Sequence, residues 1–235
     1  MKLRYATWMN AVVAVAFVVL PTSNLIPVAN ADGTDERHAS TSASTYHDTW
    51  RKLWEDHITW TRMVIIGTFD DLTCLQAYKT RLLQNYEDME AALKPYYGDD
   101  AEGLGDLIKD HLLIAVQILN AAKSGDTAAQ QRAISRWYRN GDQIAALMAK
   151  LNPRYWPQND TAMMWKDHLD ATLAEAVAHL TNDCDGDVTA YDMVHDMALD
   201  MADFFSDGVI RQFPNQFSGR DSDGEREREH RHRGD

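Results

Sequence analysis

From His47 to Pro214 the apolar residues of this chain recur at three- and four-residue steps, as in Trp50, Leu53, Trp54, His57, Thr61 and Val64. That period places them on one face of a helix, and no stretch alternates apolar with polar as a half-buried strand would. The chain therefore reads as all-α. The first helix runs from about His47 to Leu83, either long or bent near Gly67, and a short helix at Glu87–Leu93 ends at Pro95 and Gly98. Later helices span about Asp100–Lys123, Asp126–Leu151, Asn159–Thr181 and Asp187–Phe213, punctuated by Gly125, Pro153, Pro157 and Pro214. Short connections make successive helices antiparallel neighbours, so the expected fold is an up-and-down bundle of four to five antiparallel helices.

The two ends read differently. Residues 1–31 have a basic start (Lys2, Arg4), an apolar run AVVAVAFVVL and small residues Ala29-Asn30-Ala31, the pattern of a cleaved signal peptide. The apolar run is shorter than the about 20 residues a bilayer span needs. Export to the cell-envelope exterior or beyond follows, with no membrane insertion after cleavage. Residues 32–44 are Ser/Thr/Asp-rich and read as a flexible linker, residues 45–217 as the bundle domain, and residues 218–235, which contain no apolar side chain, as a disordered charged tail. Cleavage leaves 21 basic and 36 acidic residues, a net charge of −15. Such a chain repels nucleic acid and anionic lipid; the sequence identifies no partner and leaves another protein or self-association open. Cys74, expected on a helix, and Cys184, expected in a loop, are the only cysteines, too few to define a disulfide framework.

Three helices carry an Asp-His dipeptide, Asp56-His57, Asp110-His111 and Asp167-His168, and a fourth carries the reverse, His195-Asp196. At 100° per residue each Asp leaves the helix away from its own His, so it cannot orient that imidazole. His57 and His111 fall in the middle of apolar faces. His168 lies on an edge with Thr172, Glu175 and His179, and His195 lies between the core and an acidic face. Buried imidazoles need partners from other helices; Thr61 is a candidate for His57, and Thr172 with Glu175 for His168. Helical rise puts His111 and His168 at similar depth and His195 roughly 8–10 Å lower, with the height of His57 unassigned.

One histidine per helix is how a bundle assembles a metal centre, and the candidate ligands are His57, His111, His168 and His195 with Glu175 and Asp192. The spacing of known bundle sites is missing, however. The residues three before His57, His111 and His168 are Trp54, Ile108 and Trp165 in place of Glu. The acidic segment 181–192 (TNDCDGDVTAYD) partly matches a calcium-binding loop, with Asp183, Asp185, Gly186 and Asp192 in register but Thr181 in place of the first Asp. Satisfied core histidines without a cofactor are therefore the favoured reading, with a transition metal as the alternative cofactor and calcium the lesser one. Nothing points to a nucleophilic enzyme: no Gly-x-Ser-x-Gly, no phosphate-cradling glycine loop.

The segments LWEDHITWTRMVI (Leu53 to Ile65), DHLLIA (Asp110 to Ala115), RWYRNGDQIAALMAKLNP (Arg136 to Pro153) and ALDMADFFSDGVIRQFP (Ala198 to Pro214) resemble an uncharacterised family of small bacterial all-helical proteins. Some of its members carry an acetylglutamate kinase label without any kinase feature. The resemblance implies an all-helical fold and includes His57, His111 and His168, but implies no activity. The expectation is an exported, non-enzymatic binding or structural module with a buried histidine network, and the alternative is a metal-binding, redox-active bundle.

Overall fold

The computed structural model describes residues 42–217, so the expected signal peptide and charged tail, and most of the linker, lie outside the described residues. Those residues form α1 (Ala43–Phe69), α2 (Leu75–Tyr97), α3 (Asp100–Ser124), α4 (Thr127–Leu151), α5 (Gln158–Leu180), α6 (Cys184–Gln212) and the single turn α7 (Pro214–Phe217), with no strand among them. All-α is therefore correct. The long helices number six where the periodicity suggested four to five. Each packs along the next, and α6 returns to pack along α1, which also touches α3 and α5. The result is a closed ring of helices around a core rich in tryptophan: Trp50, Trp54, Trp137, Trp156 and Trp165 are all buried.

The extra helix comes from the run expected to be one long helix. It breaks at Asp70–Cys74, where Asp71 has φ 56° and Leu72 N–H donates to Gly67 O. The second piece continues through the expected short helix as α2, with Pro95 accommodated in its last turn. Gly67 is not a bend. It lies inside α1 beside Leu75 and Tyr78, where a Cβ would come within 3.2–3.3 Å of both side chains, so its role is to let α2 approach. At the N-terminus helix begins at Ala43, two residues inside the expected linker, because the Ser42 hydroxyl accepts Thr45 N–H at 3.1 Å and caps it.

The acidic segment 181–192 is not a loop. Asp183 accepts Gly186 N–H at 3.1 Å, and helix runs from Cys184 onward with Asp185 and Asp187 in its first turn. Those carboxylates sit where the helix dipole favours negative charge. The segment is thus helix-starting chemistry, and the loop geometry that calcium coordination requires is absent. The cysteine positions are reversed from expectation: Cys74 precedes α2 as its N-cap and Cys184 opens α6, and both are exposed thiols.

Candidate metal centre

Each of α1, α3 and α5 delivers one histidine to the middle of the ring. His57, His111 and His168 are each 2% exposed. Their ring centroids form a near-equilateral triangle with sides of 6.3 Å (His57–His111), 5.7 Å (His57–His168) and 6.2 Å (His111–His168). One nitrogen from each ring lies within 4.8 Å of the other two. Helical rise put His111 and His168 at similar depth, and the structure brings their rings together; His57, which could not be placed in height, completes the set. The three aspartates turn away as their helical phase requires. Asp56 pairs with Lys52 and Arg81, and Asp110 and Asp167 are exposed.

Two of the three imidazoles are oriented by the same device. His57 Nδ1 lies 3.0 Å from Asn85 Oδ1, and Asn85 Nδ2 donates to Leu53 O at 2.9 Å. His111 Nδ1 lies 3.2 Å from Asn140 Oδ1, and Asn140 Nδ2 donates to Leu107 O at 2.9 Å. In each pair the asparagine amide is committed to the carbonyl four residues before the histidine. Its oxygen must therefore face the ring, which makes Nδ1 the protonated nitrogen and leaves the lone pair on Nε2. Trp137 stacks on His111 at 4.9 Å and donates Nε1–H to His111 O at 3.1 Å. The third hairpin breaks the pattern. Thr172 Oγ1 donates to His168 O, and His168 Nδ1 has no hydrogen-bond partner. No hydrogen bond joins one imidazole of the triangle to another among the described residues.

Burial sets the charge of the cluster. It pulls His57 down to about 4 against the Asn85 bond, and pulls His168 down to about 3 with His57 adding to the effect. His111 lies well below the ordinary histidine value, by burial first and then by proximity to His168 and His57. All three are neutral at pH 7. Three neutral imidazoles, two of them oriented through Nδ1 by asparagine and one unconstrained, therefore share a site.

The donor set suits a transition metal. Nitrogens at most 4.8 Å apart stand at most about 2.8 Å from a common centre, so each must move inward by about 0.7 Å to reach a bond of about 2.1 Å. Buried neutral imidazoles with Nδ1–H held by an oxygen are the usual arrangement of histidine ligands. Hard cations such as calcium prefer oxygen donors, which the triangle lacks.

The other expected ligands lie elsewhere. Glu175 is buried but accepts from Arg62 Nη1 at 2.7 Å, and the same nitrogen donates to Asp187 at 2.8 Å. Burial raises the Glu175 carboxyl to about 7 although Arg62 draws it down. His195 has a 40% exposed side chain with Nε2 3.7 Å from Glu55, and Asp192 is exposed. Thr61 does not hold His57; Asn85 does. Asn85 and Asn140 are the residues the sequence reading missed. The available signal was a polar residue at the same step, 28 or 29 positions after a core histidine, in two successive hairpins. No protein-family model, curated protein or solved structure matches this chain.

Proposed function

We propose that this protein binds one transition-metal ion between His57, His111 and His168. The observation that carries the proposal is the convergence of three neutral imidazole nitrogens from three helices within 4.8 Å, two of them with Nδ1 already engaged by asparagine. Among the described residues the three rings face one another with no hydrogen bond between them, and His168 Nδ1 has no partner, which leaves donor nitrogens available to an ion. An all-imidazole donor set suits zinc, copper, nickel or iron, with three protein ligands and one open position. His195, Glu175 and Asp192 are outside this set. Taken with the signal-like N-terminus, the proposal is of an exported metal-binding helical bundle.

Elemental analysis after expression with metals supplied tests it. The wild-type chain is expected to carry close to one equivalent of a transition metal, and His111→Ala to carry at least tenfold less while remaining helical by circular dichroism. Wild-type protein that takes up no transition metal, even after incubation with zinc or cuprous ion, would overturn the proposal.

A further inference from the structure

The histidine triangle does not fill its surroundings. Beside it is a cavity of about 20 Å³, enough for about one water-sized sphere. Its deep wall is apolar and buried, formed by Val64, Leu112 and Leu119 with the three imidazoles. Its partly exposed lining residues are Thr61, Ala115 and Val116, which set the mouth between α1 and α3. No Asp, Glu, Lys or Arg lines it. The Thr172 hydroxyl, also in the wall, spends its proton on His168 O, so it offers nothing to an incoming anion.

From this we infer that the cavity admits a neutral diatomic molecule, of the carbon monoxide, dioxygen or nitric oxide class, to the open position of a reduced metal ion held by His57, His111 and His168. The inference rests on the metal-binding reading above. Size restricts the ligand: with one side taken by the metal, there is room for one or two heavy atoms. Charge restricts it as well, because an anion entering between Thr61 of α1 and Ala115 and Val116 of α3 loses its water and meets no cationic side chain. Carbon monoxide binding needs no net electron transfer: one metal–ligand bond forms and none in the protein breaks, whereas for dioxygen or nitric oxide the reduced metal ion itself supplies the electron density. The narrow mouth, whose α3 side is the apolar pair Ala115 and Val116, limits the access of bulk water to the site.

The test uses the full chain loaded anaerobically with cuprous ion, carbon monoxide as probe, and infrared detection of the bound C–O stretch. A single sharp band shifted from that of the free gas is expected, together with one equivalent of copper. Ethyl isocyanide, with more heavy atoms, is expected to bind at least tenfold more weakly. Ala115→Leu, which fills the mouth, is expected to keep the copper and lose the band, while Ala115→Ser keeps both; Ala115→Val serves if the leucine variant does not fold. Copper bound without a C–O band, isocyanide binding equal to carbon monoxide, or a band unaffected by both Leu and Val at position 115 would overturn the inference and leave the metal site standing. Failure to bind copper or any other metal would overturn the metal reading itself.

Discussion

Replacing Asn85 by leucine should cost this protein far more than its conservative volume suggests. Asn85 is fully buried and bridges α1 to α2, accepting from His57 Nδ1–H at 3.0 Å and donating to Leu53 O at 2.9 Å. Leucine fills much of the same space but leaves both partners in the core without water. Each stranded group costs about 1–3 kcal/mol, so the two together give about 2–6 kcal/mol. That is a large fraction of the about 5–15 kcal/mol by which a domain is stable. Urea unfolding followed by tryptophan fluorescence reads the loss. The reasoning has a second arm: His57→Phe in the Asn85→Leu background removes one stranded donor, and the double variant is expected to recover about 1–3 kcal/mol relative to Asn85→Leu alone. A single-variant loss under about 1 kcal/mol, or a double variant no more stable than Asn85→Leu, would refute the hydrogen-bond accounting on which the Nδ1–H assignment rests.

Other consequences follow from the same geometry. Metal-free protein should lose stability on acidification: His57 is held near 4 against an ordinary 6.5, so its contribution of about 3 kcal/mol is complete above pH 6.5 and disappears as the pH falls through 4, as urea midpoints at pH 7.5 and pH 5 would show. Glu175 acts in the opposite sense, because a carboxyl raised from 4.5 to about 7 favours the fold below pH 4.5 and loses that contribution as pH rises through 7; Glu175→Gln should therefore steepen the acid loss of stability between those values. Arg62→Met leaves Glu175 and Asp187 without their shared cation and should destabilise by about 3–5 kcal/mol, recovered in part by Glu175→Gln in the same chain, both read by thermal unfolding. Gly208→Ala would drive a Cβ into the Trp156 indole, whose Nε1 donates to Phe204 O at 3.3 Å, and should cost about 1–3 kcal/mol or more with a shifted tryptophan emission.

Much of the fold was legible because helical periodicity is strong in this chain. Helix α4 begins after Asp126, whose side chain accepts Ala129 N–H at 2.9 Å, and ends at Leu151, both where the capping residue and Pro153 placed them. The break between α1 and α2 was not legible, since Leu72 and Leu75 continue the apolar phase across it. Leu72 is in fact 37% exposed and belongs to no core, and the positive φ of Asp71 leaves no mark on the apolar pattern. The start of α6 was misplaced for a different reason: a run of aspartates and a glycine reads equally as a cation loop or as a capped first turn, and only the backbone distinguishes them.

The site was half legible. Helical phase put His57 and His111 on core faces and turned Asp56, Asp110 and Asp167 away, as observed. It could not bring in Asn85 or Asn140, because a lone asparagine on an apolar face carries no sign of its partner until the neighbouring helix is in place. Glu175 was drawn into the candidate ligand set by its helical line with His168, yet the cation that meets it, Arg62, comes from α1 and shows in no helix-by-helix pattern. His195 lay at a boundary that phase alone cannot resolve, and its side chain falls on the solvent side.

X-ray absorption at the metal edge of the loaded, purified protein tests the central claim most directly. Three nitrogen scatterers at about 2.0–2.1 Å with the outer-shell pattern of imidazole, reduced to two in His168→Ala, are the predicted result. A first shell of oxygen or sulfur, or a spectrum unchanged by His57→Ala, His111→Ala and His168→Ala alike, would contradict it.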